Sequence, residues 1–415
     1  MNRSSSSPAL TRPNEFVIDL NAIANNVVAV RGMVGAKTWL CVAIKANAYG
    51  FGLVEVGACA LAAGADAVAV SDLSDAIRLR ENGISAPILL YPGNLPEQHV
   101  VNEVERLSLW PTIVDMQSAR AWSTQARNPL RVFAKVDVGL ERLGIPVNDA
   151  LGVVQQITAL PRLSLHGVYT HLHVTDGSAA LSYARWQFAR FEGLLADLKK
   201  AGVEIPFRMA AASAALRISR DMKINAVDPG HLIYGLLPPG PGLVQLDLRP
   251  AFAALRTYVI QVKNVPDRDF ADQLPFRLRE AMRVGVLPIG RRDGMASLHC
   301  GQVLAGGRRV NILGSVSLEH TRIDLTDVPS VGAGDEVVII GNQQNDTIST
   351  QQVVDHQNME SPVTLALEIR DSVRRVYFDV PSPQTRRKKA GLGTYVRFPS
   401  RPLGSGSRTR KRGES

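Results

Sequence analysis

Two hydrophobic periods alternate along the first part of this chain. Phe16-Val-Ile-Asp-Leu, Leu40-Cys-Val-Ala-Ile, Ala67-Val-Ala-Val, Pro87-Ile-Leu-Leu-Tyr, Val132-Phe-Ala-Lys-Val and His166-Gly-Val-Tyr-Thr-His are short β-branched or apolar runs that read as buried strands. Between them, residues 53–63, 74–82, 149–159 and 181–201 place apolar side chains at helical spacing. Strands alternating with helices over about 220 residues predict parallel βα units, and their number favours a closed (β/α)8 TIM-like barrel of the α/β class. An open doubly wound sheet is the alternative, but no G-x-G-x-x-G follows the first strand, which argues against its dinucleotide-binding form.

The pattern changes after about residue 250. Leu255-Arg-Thr-Tyr-Val-Ile-Gln-Val, Gly301-Gln-Val-Leu, Arg309-Val-Asn-Ile-Leu, residues 315–325 and Asp335-Glu-Val-Val-Ile-Ile are short alternating strands broken by Gly, Pro and Asp, which predicts an all-β C-terminal domain. The expected organisation is a disordered tail over residues 1–15, a barrel over 16–248, a β-domain over 249–380 and a basic, disordered tail over 381–415.

Composition narrows the class. The 415 residues suffice for two well-buried domains, and no window approaches the roughly 18 apolar residues of a membrane span. The formal net charge of +9 would suggest nucleic acid, but the basic residues from Arg386 onward, opposed only by Glu414, account for it and leave the remainder close to neutral. A solvated tail is the simpler reading. Cys41, Cys59 and Cys300 are an odd count without CxxC spacing, and the N-terminus has no apolar signal segment; the expectation is a cytoplasmic protein.

Lys45 ends an apolar strand and is followed by Ala-Asn-Ala-Tyr-Gly-Phe-Gly. At the C-terminal mouth of a barrel strand, a lysine with a buried stem has a lowered pKa, as an imine-forming amine requires. On position alone a surface lysine at a strand end is the alternative. His171-Leu-His173 allows a metal reading, since side chains at i and i+2 of a strand share a face; His231 and Asp228 would have to complete it.

The segment Lys45-Ala-Asn-Ala-Tyr-Gly-Phe-Gly closely resembles the cofactor-lysine motif of the alanine racemase family, fold-type III pyridoxal-phosphate enzymes. Ala134-Lys-Val-Asp-Val-Gly-Leu-Glu-Arg-Leu-Gly-Ile145, Gly167-Val-Tyr-Thr-His171, Ala210-Ala-Ala-Ser-Ala-Ala215, Asp228-Pro-Gly-His-Leu-Ile-Tyr-Gly235, Pro288-Ile-Gly-Arg-Arg-Asp-Gly294 and residues 312–328 resemble further motifs of that family, in its order, from about residue 15 to 380. The resemblance implies pyridoxal 5'-phosphate held on Lys45 as a Schiff base and an amino-acid substrate. It implies a homodimer whose active sites are shared. It places Tyr49, Ser213 and the Gly230 and His231 N–H groups on the phosphate, and His171 beside the cofactor. Arg142 would meet the cofactor phenolate oxygen or the substrate carboxylate, with Lys135 carbamylated to pair with it; unmodified, the two cations would repel.

Departures from the family pattern bear on the reaction. Asp228 stands where the family has the arginine that faces the pyridine nitrogen; a carboxylate there would hold that nitrogen protonated and make the ring a stronger electron sink. The family's opposite-face tyrosine is replaced by Asp272, with Asp269 as a neighbouring candidate base, or by a merely polar loop. Asp371 aligns with a phosphate-binding tyrosine, where it would be repulsive unless Arg370 or Arg374 intervened. Leu318-Glu319 replaces Met-Asp at the substrate-carboxylate site, and Arg291 replaces a tyrosine. The leading expectation is an amino-acid racemase. Decarboxylation, aldol cleavage, β-elimination or substitution, or transamination at the α-carbon is the alternative, and a non-catalytic cofactor-binding homologue is the third.

Overall fold

The computed structural model describes residues 12–175, 177–236, 244–266, 271–279 and 281–378. Strand β1 (Glu15–Asp19) does not enter the barrel expected to contain it. It pairs antiparallel with Phe252–Tyr258, Phe16 opposite Leu255, and parallel with Arg374–Phe378, Phe16 opposite Arg375, so it belongs to the C-terminal sheet. The N-terminal tail is also shorter than expected: Asn14 is fully buried, donating to Pro288 O (2.8 Å) and accepting from the Thr257 hydroxyl (2.7 Å).

Eight parallel strands form the barrel: β2 (Trp39–Ala43), β3 (Ala67–Val70), β4 (Ile88–Leu90), β5 (Trp110–Ile113), β6 (Leu130–Asp137), β7 (Leu163–Tyr169), β8 (Phe207–Ala211) and β9 (Ala226–Val227). Their order around the ring is β5-β4-β3-β2-β9-β8-β7-β6, and pairing of Thr112 with Phe133 and Ile113 with Ala134 closes it. The helices at 53–62, 73–81, 147–159 and 180–200 lie within two residues of the predicted ones. The strands at 110–113, 207–211 and 226–227 were not anticipated, because Pro111 interrupts one and the last has only two residues.

Period-two alternation sorts the barrel residues. Cys41, Ala67, Ala69, Leu89, Trp110, Phe133 and Met209 fill the interior, while Leu40, Val42, Val68, Val70, Ile88 and Leu90 pack into the outer core. A fully packed interior leaves only the strand ends free to build a cavity.

The C-terminal part is mostly β rather than all-β. Two helices interrupt it, Thr350–Gln357 and Pro362–Glu368. The first is started by a Ser349/Gln352 capping box, the second by Ser361 with Pro362 at the first helical position; both signals are local and readable.

Candidate active site

Chemistry-bearing side chains converge at the C-terminal ends of the barrel strands. One cavity of about 330 Å³ is lined by Lys45, Tyr49, Lys135, Arg142, His171, Ser213, Asp228, Gly230 and His231, all singled out in the sequence, and by Tyr91 and Tyr169, which were not. Tyr91 directly follows β4, and parity with interior Leu89 was the signal that could have found it.

Lys45 is delivered by an unusual backbone. Ala46, Asn47, Ala48 and Tyr49 all hold φ between 52 and 54°, the left-handed region, at about 1–2 kcal/mol each. Several contacts offset that cost. Ala48 N–H donates to Ile44 O (2.9 Å), Gly50 N–H to Ala46 O (3.0 Å), and Asn47 Oδ1 accepts from Leu53 N–H (3.0 Å). Gly50 ends the turn where any Cβ would lie 2.1 Å from Ala366 O. The turn aims Lys45 Nζ between two phenols, 6.0 Å from the Tyr49 ring centre and 5.7 Å from that of Tyr91.

The same cavity holds a group of donors suited to an anion. Ser213 Oγ accepts from the N–H groups of Gly230 (3.0 Å) and Leu232 (3.2 Å), which leaves its proton free to be donated. The Gly230 amide, expected to face a phosphate directly, is therefore committed to Ser213. Gly230 serves in a second way: a Cβ there would sit 2.7 Å from the Tyr49 hydroxyl. Burial pushes the Tyr49 phenol up, so it remains a neutral donor. Ala212 and Ala214 keep the surrounding wall short.

The cavity's charge is unbalanced. Among the described residues lining it, Lys45, Lys135 and Arg142 face one carboxylate, Asp228. Burial lowers the Lys45 ammonium pKa, Asp228 opposing and Arg142 assisting. Burial, with Arg142 and Lys45 nearby, brings Lys135 down to about 8. Burial and the Lys135, Arg142 and Lys45 cations lower His171 to about 4, so it is neutral at physiological pH, and burial with Lys45 lowers His231. Asp137 holds the Arg142 loop in place, accepting from the N–H groups of Gly139 (2.9 Å), Leu140 (2.9 Å), Glu141 (3.2 Å) and Arg142 (2.8 Å).

Asp228 is the most constrained group. It is buried, and its Oδ2 accepts from the Tyr91 hydroxyl at 2.8 Å. Among the described residues its buried Oδ1 has no hydrogen-bond partner. Burial raises its carboxyl to about 6 against the opposing pull of Tyr91, Lys135 and Lys45. An unfilled buried acceptor, an excess of cations and a hydroxyl-lined cradle fit a ligand that brings an N–H donor at one end and an anion at the other. A phosphorylated pyridine carried on Lys45 has that form.

Other predicted residues lie elsewhere. Asp272 is exposed in the C-terminal part and lines a separate surface cavity with Ala271 and Leu274. Asp269 lies outside the described residues, as does the tail 381–415. Leu318 is 66 % exposed and does not line the Lys45 cavity. Glu319 beside it is held by Arg12 and by Arg292 (2.9 Å), while Arg291 Nε donates to Val316 O (3.0 Å). Asp371 points to solvent, 3.6 Å from Arg375, which takes the place expected of Arg370 or Arg374. His171 and His173 do not share a face: His173 packs edge-on against Tyr183, outside the cavity. Among the described residues no three His, Cys, Asp or Glu side chains gather as a metal site.

Comparison with known proteins agrees with this geometry over nearly the whole described chain. Residues 18–238 match the family model for the alanine racemase N-terminal domain, and residues 252–377 that for its C-terminal domain. The chain is 33 % identical over 344 residues to an alanine racemase of Methanococcus maripaludis, covering 81 % of this chain and 91 % of that protein. It is 35 % identical over 386 residues to an alanine racemase of Desulfosudis oleivorans, covering 89 % and 98 %. The crystal structure of alanine racemase from Bacillus anthracis with bound L-Ala-P superposes with a TM-score of 0.80 at 28 % identity, covering 90 % of this chain and 96 % of that one. With both halves matched in order and the lysine, cradle and arginine gathered at one barrel mouth, the chain belongs to the alanine racemase family.

Proposed function

We propose that this protein is a pyridoxal 5'-phosphate-dependent amino-acid racemase, with alanine as substrate and the cofactor bound covalently to Lys45 Nζ. The observation that carries the reading is the gathering, in one cavity, of the half-buried Lys45, the unpartnered Asp228 Oδ1 and the Ser213 hydroxyl. The activity named for the relatives supplies the substrate.

Bound there, the cofactor supplies an electron sink for the charge left at the α-carbon when its proton departs. The chain's own residues do the rest. Tyr49, Ser213 and His231 would hold the phosphate, and Asp228 would take the N–H of the ring nitrogen. Arg142 takes the substrate carboxylate or the cofactor's phenolate oxygen, both suited to a guanidinium fork. His171, neutral, packs on the cofactor side. Lys45 carries the proton on one face, its amine predisposed to exchange by desolvation. With a pKa of about 8, Lys135 has an appreciable neutral fraction; that amine can add CO2 and lose a proton, giving a carbamate that pairs with Arg142 instead of repelling it.

The second face needs a second chain. Asp272 and Leu318 both sit exposed on the C-terminal part, and neither lines the Lys45 cavity of its own chain. They can serve only in a homodimer, Asp272 as the opposite base and the Leu318 segment at the substrate carboxylate. The free Cys41 and Cys300 thiols support a reducing compartment, the cytoplasm. Non-racemising chemistry draws on Asp228 and on the absent opposite-face tyrosine, and is not favoured by the relatives. A non-catalytic role has the intact lysine, arginine and cradle against it.

The test is incubation of the cofactor-loaded protein with each alanine enantiomer in D2O, followed by chiral mass spectrometry. Deuteration at the α-carbon with inversion is expected, and Lys45→Ala should abolish it. Exchange with retention would remove the second base. An aldehyde or CO2 as product, or no exchange from a loaded enzyme, would overturn the assignment.

A further inference from the structure

Tyr91 and Asp228 form a bridge across the mouth of the barrel. Tyr91 follows β4 and Asp228 follows β9, and β3 and β2 stand between those strands in the ring. Both ends are anchored by backbone: Tyr91 N–H donates to Val70 O (2.8 Å) and Asp228 N–H to Ala211 O (3.2 Å). The Tyr91 ring is placed by the Tyr169 ring, 6.1 Å away, and by Lys45 Nζ on its face. Its hydroxyl has one hydrogen to give and gives it to Asp228 Oδ2. One carboxylate oxygen is thereby occupied and the carboxyl plane is fixed. The other oxygen, Oδ1, remains buried and unfilled.

This asymmetry has a use. A free buried carboxyl would rotate and, being desolvated, would hold its own proton. A phenol donating to one oxygen stabilises the anion and makes the carboxylate a weaker base. A ring nitrogen meeting the remaining oxygen then keeps the shared proton. The other titratable groups around the pair are Lys45 and Lys135, whose charges also favour the carboxylate, and Cys41, Tyr49 and Tyr169, which burial keeps neutral. Tyr91 itself donates directly to the carboxylate.

We propose that Tyr91 is a positioning residue that orients Asp228 and holds the proton on the cofactor's ring nitrogen rather than on the carboxyl. The inference rests on the pyridoxal-phosphate reading above and adds to it the location of one proton and the residue that decides it.

The experiment uses the holoenzyme reconstituted with pyridoxal phosphate labelled with ¹⁵N in the ring, and reads the nitrogen's chemical shift at neutral pH. Protonation moves a pyridine nitrogen far upfield. The wild-type resonance is expected at the protonated end, Tyr91→Phe displaced toward the unprotonated end, and Asp228→Asn at that end. Tyr91→Phe keeps the ring that packs on Tyr169 and removes one oxygen; circular dichroism and cofactor stoichiometry check that it folds and loads. A wild-type nitrogen at the unprotonated end overturns the proposal, as does a Tyr91→Phe resonance equal to wild type, even where cofactor occupancy falls. Borohydride reduction and peptide mass spectrometry separate this failure from a wider one. If the cofactor is fixed to Lys45 but its nitrogen is unprotonated, the roles of Tyr91 and Asp228 at that nitrogen fail and the cofactor assignment stands; if no adduct forms at Lys45, the function assigned above fails with it.

Discussion

Replacing Asp228 by asparagine is expected to stabilise the cofactor-free protein while weakening the cofactor-bound one. Burial raises the carboxyl from 3.8 to about 6. At about 1.4 kcal/mol per pKa unit, the ionised form costs the folded state about 3 kcal/mol relative to the protonated form. Because the folded-state pKa lies above the unfolded one, that cost is absent below about pH 3.8, accrues as the pH rises to about 6, and is constant above it. Asparagine is neutral at every pH and close in shape, so the difference between the two proteins isolates this group. At pH 8 the variant should be more stable by up to about 3 kcal/mol, a few degrees in Tm for a chain of this size; at pH 5 about half the gap should remain. The assay is calorimetric unfolding of both cofactor-free proteins at equal concentration, since association shifts apparent stability. Adding pyridoxal phosphate should reverse the order, because the carboxylate then gains its missing partner. A variant no more stable than the parent at pH 8, or a gap that does not vary with pH, would refute the reasoning.

Four further substitutions probe other parts of the site. Gly230→Ala puts a methyl 2.7 Å from the Tyr49 hydroxyl and should displace that phenol, raising the cofactor's Kd by about tenfold, roughly 1.4 kcal/mol, in a fluorescence titration with unchanged circular dichroism. Asn47→Gly should lose only the bond to Leu53, about 1 kcal/mol, whereas Asn47→Val adds about 1–2 kcal/mol of left-handed strain; thermal unfolding should rank them in that order. Enzyme prepared in CO2-free buffer should gain activity on adding bicarbonate, and Lys135→Arg, which cannot form a carbamate, should not respond.

The barrel was legible because its strands are buried on both faces and its helices on one, so the two periods stand out locally. The residues of the site were legible as far as each lies in a short motif: Lys45 and Tyr49 are four apart, Lys135 and Arg142 seven, and Asp228, Gly230 and His231 share one segment. The misses have physical causes. A strand such as Glu15–Asp19 carries no mark of which sheet will take it, because its hydrogen-bond partners lie more than 230 residues away. The commitment of the Gly230 amide to Ser213 depends on how β8 and β9 end side by side, which no spacing encodes.

By itself, then, the sequence determined the fold class, the lysine and the chemistry its neighbours imply, since each of these depends on residue type and short-range order. The tertiary structure alone decided what Asp228 is. In the sequence, a carboxylate in place of an arginine reads as a partner for a protonated ring nitrogen; its burial, its one oxygen tied to Tyr91 and its other left open follow from packing two strand ends across a closed ring. Protonation is set by such long-range neighbours, and these exist only once the barrel closes.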